Sequence, residues 1–212
     1  MALGSSTGRV NQKRRTHDAI VRAAVELICA GGELTMPAVA RAALVSEATA
    51  YRYFPDLVSL VRTVMDGRMP TAAEALEPVR DSQDPVERVA AVTEHLMRHV
   101  LAYQSAVRAM IAASVTRPAV KVRPALRTRL IDEALKPITG SQAVIGRAAL
   151  AQLKRDLAIV VSAEALFVLT DLHELDPERA VRSVVSTATT VTRAALSDCV
   201  PVHARRKGPP RR

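Results

Sequence analysis

The sequence predicts an all-α protein, with a small N-terminal domain of three short helices and a larger C-terminal helical domain. Three observations predict it. Apolar residues recur at helical spacing and nowhere hold a sustained apolar/polar alternation. Ser, Thr, Asp and Pro stand where helices should begin, and a Gly pair stands where the first should end. Turns are very short before residue 70, and the periodic segments lengthen after it.

The elements follow in order. Ile20, Ala24, Leu27 and Ile28 form the stripe of a first helix, closed by Gly31-Gly32. Thr35 caps a short helix through MPAVARAA, with Pro37 in the first turn, where its missing N–H costs nothing. Ser46 caps a second short helix, EATAYRY. Pro55 opens the next, with Asp56 beside its positive end and Leu57, Leu60, Val61, Val64 and Met65 facing inward. Asp84-Pro85 begins a helix to about Tyr103, striped by Val89, Leu96 and Val100. Helices near 105–116 and 125–136 flank a loop with Pro118 and Pro124. Two long helices close the chain, about 146–172 and 177–198, the second opened by Asp176-Pro177.

Charge sits at the ends. Arg9, Lys13, Arg14 and Arg15 near the start, with Arg205, Arg206, Lys207, Arg211 and Arg212 in the tail, account for the whole net charge of +9. Basic arms on a balanced body point to a polyanion partner; the alternative is that the tail only aids solubility. No apolar run reaches the roughly 20 residues of a membrane helix, and no signal-peptide core precedes the first charges, so a cytoplasmic protein with no membrane partner is expected. Cys29 and Cys199, far apart, read as two reduced thiols.

Tyr51, Tyr53 and Phe54 are three of only five Tyr and Phe residues, in a chain without Trp. They lie in the second of two short helices, TMPAVARAA and SEATAYRY, whose size and spacing are those of a helix-turn-helix. Val39, Ala40 and Ala43 let these helices pack tightly, and Ala48, Thr49 and Ala50 leave the second one's first turn slim enough for a major groove. Tyr51 and Tyr53 lie about 200° apart on a helix, so at least one hydroxyl points outward, where it can bond a phosphate oxygen.

The stretch AIVRAAVELICAGGELTMPAVARAALVSEATAYRYFPDLVSLV resembles the DNA-binding region of the TetR family of bacterial transcriptional regulators, over about residues 14–65. The resemblance implies an all-helical homodimer, each subunit with an N-terminal helix-turn-helix domain and a larger C-terminal ligand-binding and dimerisation domain. It implies phosphate contacts from Thr35, Ser46, Thr49 and Tyr53, groove-facing readers at Glu47, Ala48 and Tyr51, and a core role for Phe54. Arg14 and Arg15 join the DNA-binding set from the basic arm. Three positions depart from the family pattern. Leu44 stands for the usual Gly of the turn, so a side chain must tolerate the turn's backbone angles. Glu47 replaces a basic or neutral residue, and repels phosphate unless it accepts from a cytosine amine. Leu57 replaces a Lys that often anchors the DNA backbone. The expected organisation is a flexible basic arm 1–13, a DNA-binding domain 14–56, a ligand-binding and dimerisation domain 57–200 and a basic flexible tail 201–212.

Other constellations are weaker. His95 and His99 have the spacing of two metal ligands on one helical face, but no third ligand stands nearby in sequence, so solvated or pocket-rim histidines are the better reading. No catalytic order of residues or phosphate-cradling loop is recognisable; neither enzymatic activity nor a cofactor is expected. In an unbroken helix Glu164 falls at the centre of the face made by Leu150, Leu153, Leu157, Val160, Val161 and Val168, with Ile159, Leu166 and Leu169 making the other side apolar too. It reads either as one half of an ion pair with an Arg such as Arg108 or Arg193, or as a pocket acceptor. Val181, Val184, Val185, Ala188, Val191, Ala195 and Leu196 form a close-packing surface suited to a four-helix dimer interface, or to core within one subunit. Met65, Met69, Met97, Tyr103, Met110 and Phe167, with Glu164, are the candidate effector-binding residues; ordinary core is the alternative for each.

The expected function is a ligand-responsive, homodimeric regulator of transcription, most simply a repressor that leaves double-stranded operator DNA when a small apolar effector binds. The alternative is a constitutive architectural or nucleoid DNA-binding protein without a ligand.

Overall fold

The structure, a computed structural model, describes residues 5–116, 126–139 and 145–197. Its helices are α1 (Ser5–Cys29), α2 (Met36–Ala42), α3 (Glu47–Tyr53), α4 (Leu57–Met65), α5 (Ala72–Leu76), α6 (Pro85–Ala102), α7 (Gln104–Thr116), α8 (Leu126–Ala134), α9 (Arg147–Val160), α10 (Ala163–Phe167) and α11 (Pro177–Ser197). Among the described residues there is no strand, and no helix is long and apolar enough to cross a membrane. The chain forms two compact units, Met1–Met69 with Val100–Pro124, and Pro70–His99 with Ala125–Arg212. The basic tail 201–212 and Cys199 lie outside the described residues, as does the Pro118–Pro124 loop; Cys29 is a free, exposed thiol.

The first unit closes around Ile20, Ala24 and Ile28 of α1, Val39 and Ala40 of α2, Ala50 and Phe54 at α3, Leu60, Val61 and Val64 of α4 and Ala106 of α7. Its division differs from the boundaries 14–56 and 57–200 expected from sequence. The stripe of α4 is apolar enough that it must be covered, and it packs on α1 and α7. Ser105 of α7 donates its hydroxyl to the Gly32 carbonyl at 2.8 Å, tying that helix to the turn after α1. Residues 5–13 form the first turns of α1. Gln12, Lys13, Arg14 and Arg15 are good helix formers, and a helix anchored by the buried Ile20 and Ala24 propagates outward with little cost.

The second unit buries Val89, Val92, Leu96 and Met97 of α6, Leu130 and Ile131 of α8, Leu153 and Leu157 of α9 and Val181, Val184 and Ala188 of α11. α9 packs on α11 and α8, and α8 on α5. Asp84 and Asp176 cap as their sequence positions promised, accepting from the N–H groups of Val86 at 2.8 Å and Arg179 at 3.0 Å. α5 was not expected, although Thr71 and Glu74 spell a capping box and both of its bonds form.

The helix expected over 146–172 is broken. α9 stops at Val160; Val161 takes φ −80°, ψ 65°, and Ser162 starts α10 by accepting from the Ala165 N–H at 3.1 Å. The β-branched run Ile159-Val160-Val161 is a poor helix former, and a serine directly after it offers a better start than a continuation. A π-helical turn, Val168–Leu172, follows α10. The face centred on Glu164 therefore does not exist as drawn from an unbroken helix, and Glu164 sits half-buried in the first turn of α10.

Candidate nucleic-acid interface

α2 and α3 form the helix-turn-helix, and local bonds fix every joint of it. Thr35 holds the start of α2 by accepting from the Ala38 N–H at 3.3 Å. Ser46 holds the start of α3 by accepting from the Thr49 N–H at 3.2 Å, and donates its own proton to the Thr49 hydroxyl oxygen at 2.9 Å. That leaves the Thr49 proton for an acceptor outside the pair. The turn between the helices closes with the Leu44 N–H on the Arg41 carbonyl at 3.1 Å and the Val45 N–H on the Ala40 carbonyl at 3.0 Å. These two bonds make a Schellman motif, whose middle residue needs a left-handed backbone. Leu44 occupies it at φ 55°, with 92% of its side chain's residue surface exposed. The Leu-for-Gly departure noted in the sequence is thus carried as backbone strain. Gly31 makes the same motif after α1 at φ 67°, with Gly32 N–H on the Leu27 carbonyl at 3.2 Å.

Glu47, Ala48 and Tyr51 are exposed on α3, and Thr49 is half-exposed. Ala50, on the opposite face, is fully buried where α3 meets the core, and Phe54 is 4% exposed, the core role its position implied. Tyr53 is half-buried, with the Arg52 guanidinium 5.7 Å from its ring centre. Lys13, Arg14 and Arg15 are exposed on α1. Leu57 is half-buried against the core and presents no cation.

His17 was missed by the sequence reading. Its ring lies 5.1 Å from that of Phe54 and 6.5 Å from that of Tyr53, while Nδ1 stands 3.2 Å from an Asp18 carboxylate oxygen. The signal was weak: a histidine one turn before the Ile20 stripe says nothing of what α3 brings against it.

The candidate effector residues are divided between the two units. Met65, Met69, Tyr103 and Met110 belong to the core of the first or pack against it. Met97 and Phe167 are buried in the second, and Glu164 is half-buried there. A cleft of about 410 Å³ in the first unit is lined by Gly32, Leu34, Ser105 and Arg108 among others, and by none of the seven. Two clefts of the second unit, about 330 and about 500 Å³, are lined by none of them either. His95 borders the larger; burial, and next the charge of His95, lower the pKa of the half-buried His99. No group of three metal-ligating side chains forms among the described residues.

A helix-turn-helix with polar, exposed residues at the start of its second helix defines a class, the DNA-binding regulators. Residues 20–63 match the family described as bacterial regulatory proteins, tetR family, which supports a TetR family regulator of transcription. No curated protein matches the chain.

Proposed function

We propose that this protein is a cytoplasmic, homodimeric repressor that binds operator DNA through α2 and α3 and is released by a small apolar effector. The observation that carries the reading is the α3 surface. Thr35, Ser46, Thr49 and Tyr53 offer hydroxyls for phosphate oxygens, with Arg14 and Arg15 adding charge from α1. Glu47, Ala48 and Tyr51 face outward as readers of base edges. Two such heads must meet successive major grooves about 34–36 Å apart, so a change in their separation breaks the fit.

The dimer surface is sought on the second unit, where Val185, Val191, Ala195 and Leu196 of α11 remain half-exposed. Val181, Val184 and Ala188 are buried within the protomer, because α9 and α11 pack on each other. Ile159, Val168 and Leu172 are instead exposed, at 73%, 45% and 75%, around the break that ends α9. Their exposure as large apolar side chains supports burial against a second copy in a two-fold assembly. The effector follows from the C-terminal ligand-binding domain that the family resemblance implies.

Selection of bound fragments from random DNA tests the reading. A repressor enriches a two-fold motif; an architectural protein binds with steep salt dependence but no motif. On the selected duplex and a scrambled one, Tyr53→Phe should weaken both alike, since a phosphate bond carries no base information. Tyr51→Ala should weaken the selected duplex more. Equal losses for Tyr51→Ala would remove it from the reading surface.

A further inference from the structure

We propose that His17 is a further phosphate-contacting residue, one that bonds DNA only as the imidazolium, so that DNA binding by this protein is coupled to proton uptake. The proposal rests on the reading that Tyr53 faces the DNA backbone. Its starting point is the geometry around the ring. The His17 imidazole is seated on the Phe54 ring at 5.1 Å with a 33° tilt, and Phe54 is core, so the imidazole has a fixed platform. It neighbours the Tyr53 ring at 6.5 Å, and its side chain remains 41% exposed. The platform therefore places an imidazole near the ring of Tyr53, whose hydroxyl is expected to touch phosphate, where α1 meets the end of α3.

Asp18 decides what that imidazole can do. Its carboxylate stands 3.2 Å from Nδ1, which assigns the neutral ring's proton to Nδ1. Nε2 then carries a lone pair, and a lone pair does not bond a phosphate oxygen. Protonation converts Nε2 into a donor with positive charge behind it, which is what phosphate recognition needs. Imidazole is the side chain that makes this change in the range between pH 5 and 8.

The charged and titratable neighbours are consistent with that role. On α1, Lys13 and Arg14 lie one turn before His17 on the same face, and both are exposed. From α3 come the Tyr53 hydroxyl and the Arg52 guanidinium, which lies over the Tyr53 ring. Asp56, at the start of α4, caps its own helix by accepting from the Ser59 N–H at 2.8 Å. Asp18 is 56% exposed, so its field is screened by water while its hydrogen bond still sets the tautomer.

Affinity for a pool of random-sequence duplex DNA, measured at fixed salt from pH 5.5 to 8, tests this directly, because a phosphate contact needs no operator. Wild type should weaken as pH rises, by at most about tenfold per unit, the limit for one proton taken up on binding. The log–log salt slope should be steeper at pH 5.5 than at pH 8 by about 0.9, the share of one phosphate neutralised. His17→Phe keeps a ring on Phe54 but has no nitrogen, and should bind with no such pH dependence. His17→Arg should bind at pH 8 about as tightly as wild type does at pH 5.5. Melting curves verify that both variants fold. A wild type that binds DNA equally at all pH values, or a His17→Phe variant that keeps the wild-type pH profile, overturns the proposal while leaving DNA binding intact. A wild type that binds no duplex at any pH overturns the DNA-facing reading with it.

Discussion

The two units draw their order from different distances along the chain. In the first, α2, α3 and α4 each begin at a side chain, Thr35, Ser46 or Asp56, that bonds a backbone N–H three residues on. α1 and α2 end in turns closed within six residues. In the second, decisive contacts join residues remote in sequence. Arg88 is 9% exposed and donates from Nη2 to the Glu133 carbonyl at 2.9 Å and from Nε to the Ala134 carbonyl at 3.2 Å, which gives the end of α8 a cation. Arg98 forks onto Glu178 of α11 at 2.8 and 3.1 Å. A helix-turn-helix must present a few residues in fixed register, and local bonds deliver that register without help from distant chain.

The comparison is broken most severely at Phe54, the point where the local unit does depend on its core. Phe54→Ala removes a ring that is 4% exposed and leaves α3 without its anchor. The expected loss is about 3–5 kcal/mol, read from denaturant unfolding followed by circular dichroism. In the second unit, Arg88→Ala strands the carbonyls of Glu133 and Ala134, with an expected loss of about 2–3 kcal/mol. Arg88→Lys should recover only part of it, since an ammonium cannot reproduce the planar fork. Full stability of Arg88→Lys would mean that charge alone holds the end of α8.

The same difference in length scale governs what could be read from the sequence. Thr35, Ser46, Asp84 and Asp176 were legible as helix starts because a cap acts within three residues. Asp56, expected only as a charge beside a helix opened by Pro55, is itself the cap. Leu44 was legible as a strained turn through the family resemblance, which has Gly there. The break at Val161-Ser162 was carried by local signals too, but the helical stripe through Glu164 outweighed them in the reading. The second unit's partners were not legible: nothing near Arg88 in sequence announces the carbonyls of α8. At the candidate interface, the outward placing of Glu47, Ala48 and Tyr51 was legible through the family resemblance. The His17 cluster did not, since it needs α1 and α3 to meet in space. Packing likewise explains why Val181 and Val184 of α11 are protomer core and why Met65 and Met97 are buried in different units.

A smaller effect sharpens the comparison inside the first unit, where two ends share one motif and differ in residue. Gly31→Ala puts a side chain at φ 67°; a Cβ there meets nothing within 4 Å, so the expected cost of about 1–2 kcal/mol is backbone alone. Leu44→Gly does the reverse at φ 55°, relieving strain at a side chain that is 92% exposed and so buries little. Greater freedom of the unfolded chain offsets part of the gain, leaving about 0.5–1 kcal/mol of stabilisation. A fall in melting temperature for Leu44→Gly would show that the exposed leucine makes a stabilising contact.

The smallest effect distinguishes the units by their response to acid. Burial of His99, and after it the charge of His95, hold the His99 imidazole below its ordinary value of 6.5. The folded second unit therefore resists a proton that the unfolded chain accepts. Well above pH 6.5 both states carry a neutral ring and the group is indifferent. As pH falls from there towards the lowered folded value, the unfolded chain binds more protons, and stability declines with pH. Melting temperatures from pH 7.5 to pH 5 should fall less steeply for His99→Gln than for wild type. His95→Gln should flatten the slope by a smaller amount, because the neighbouring charge is the lesser cause. Parallel curves for wild type and His99→Gln would show that the ring takes its proton without strain.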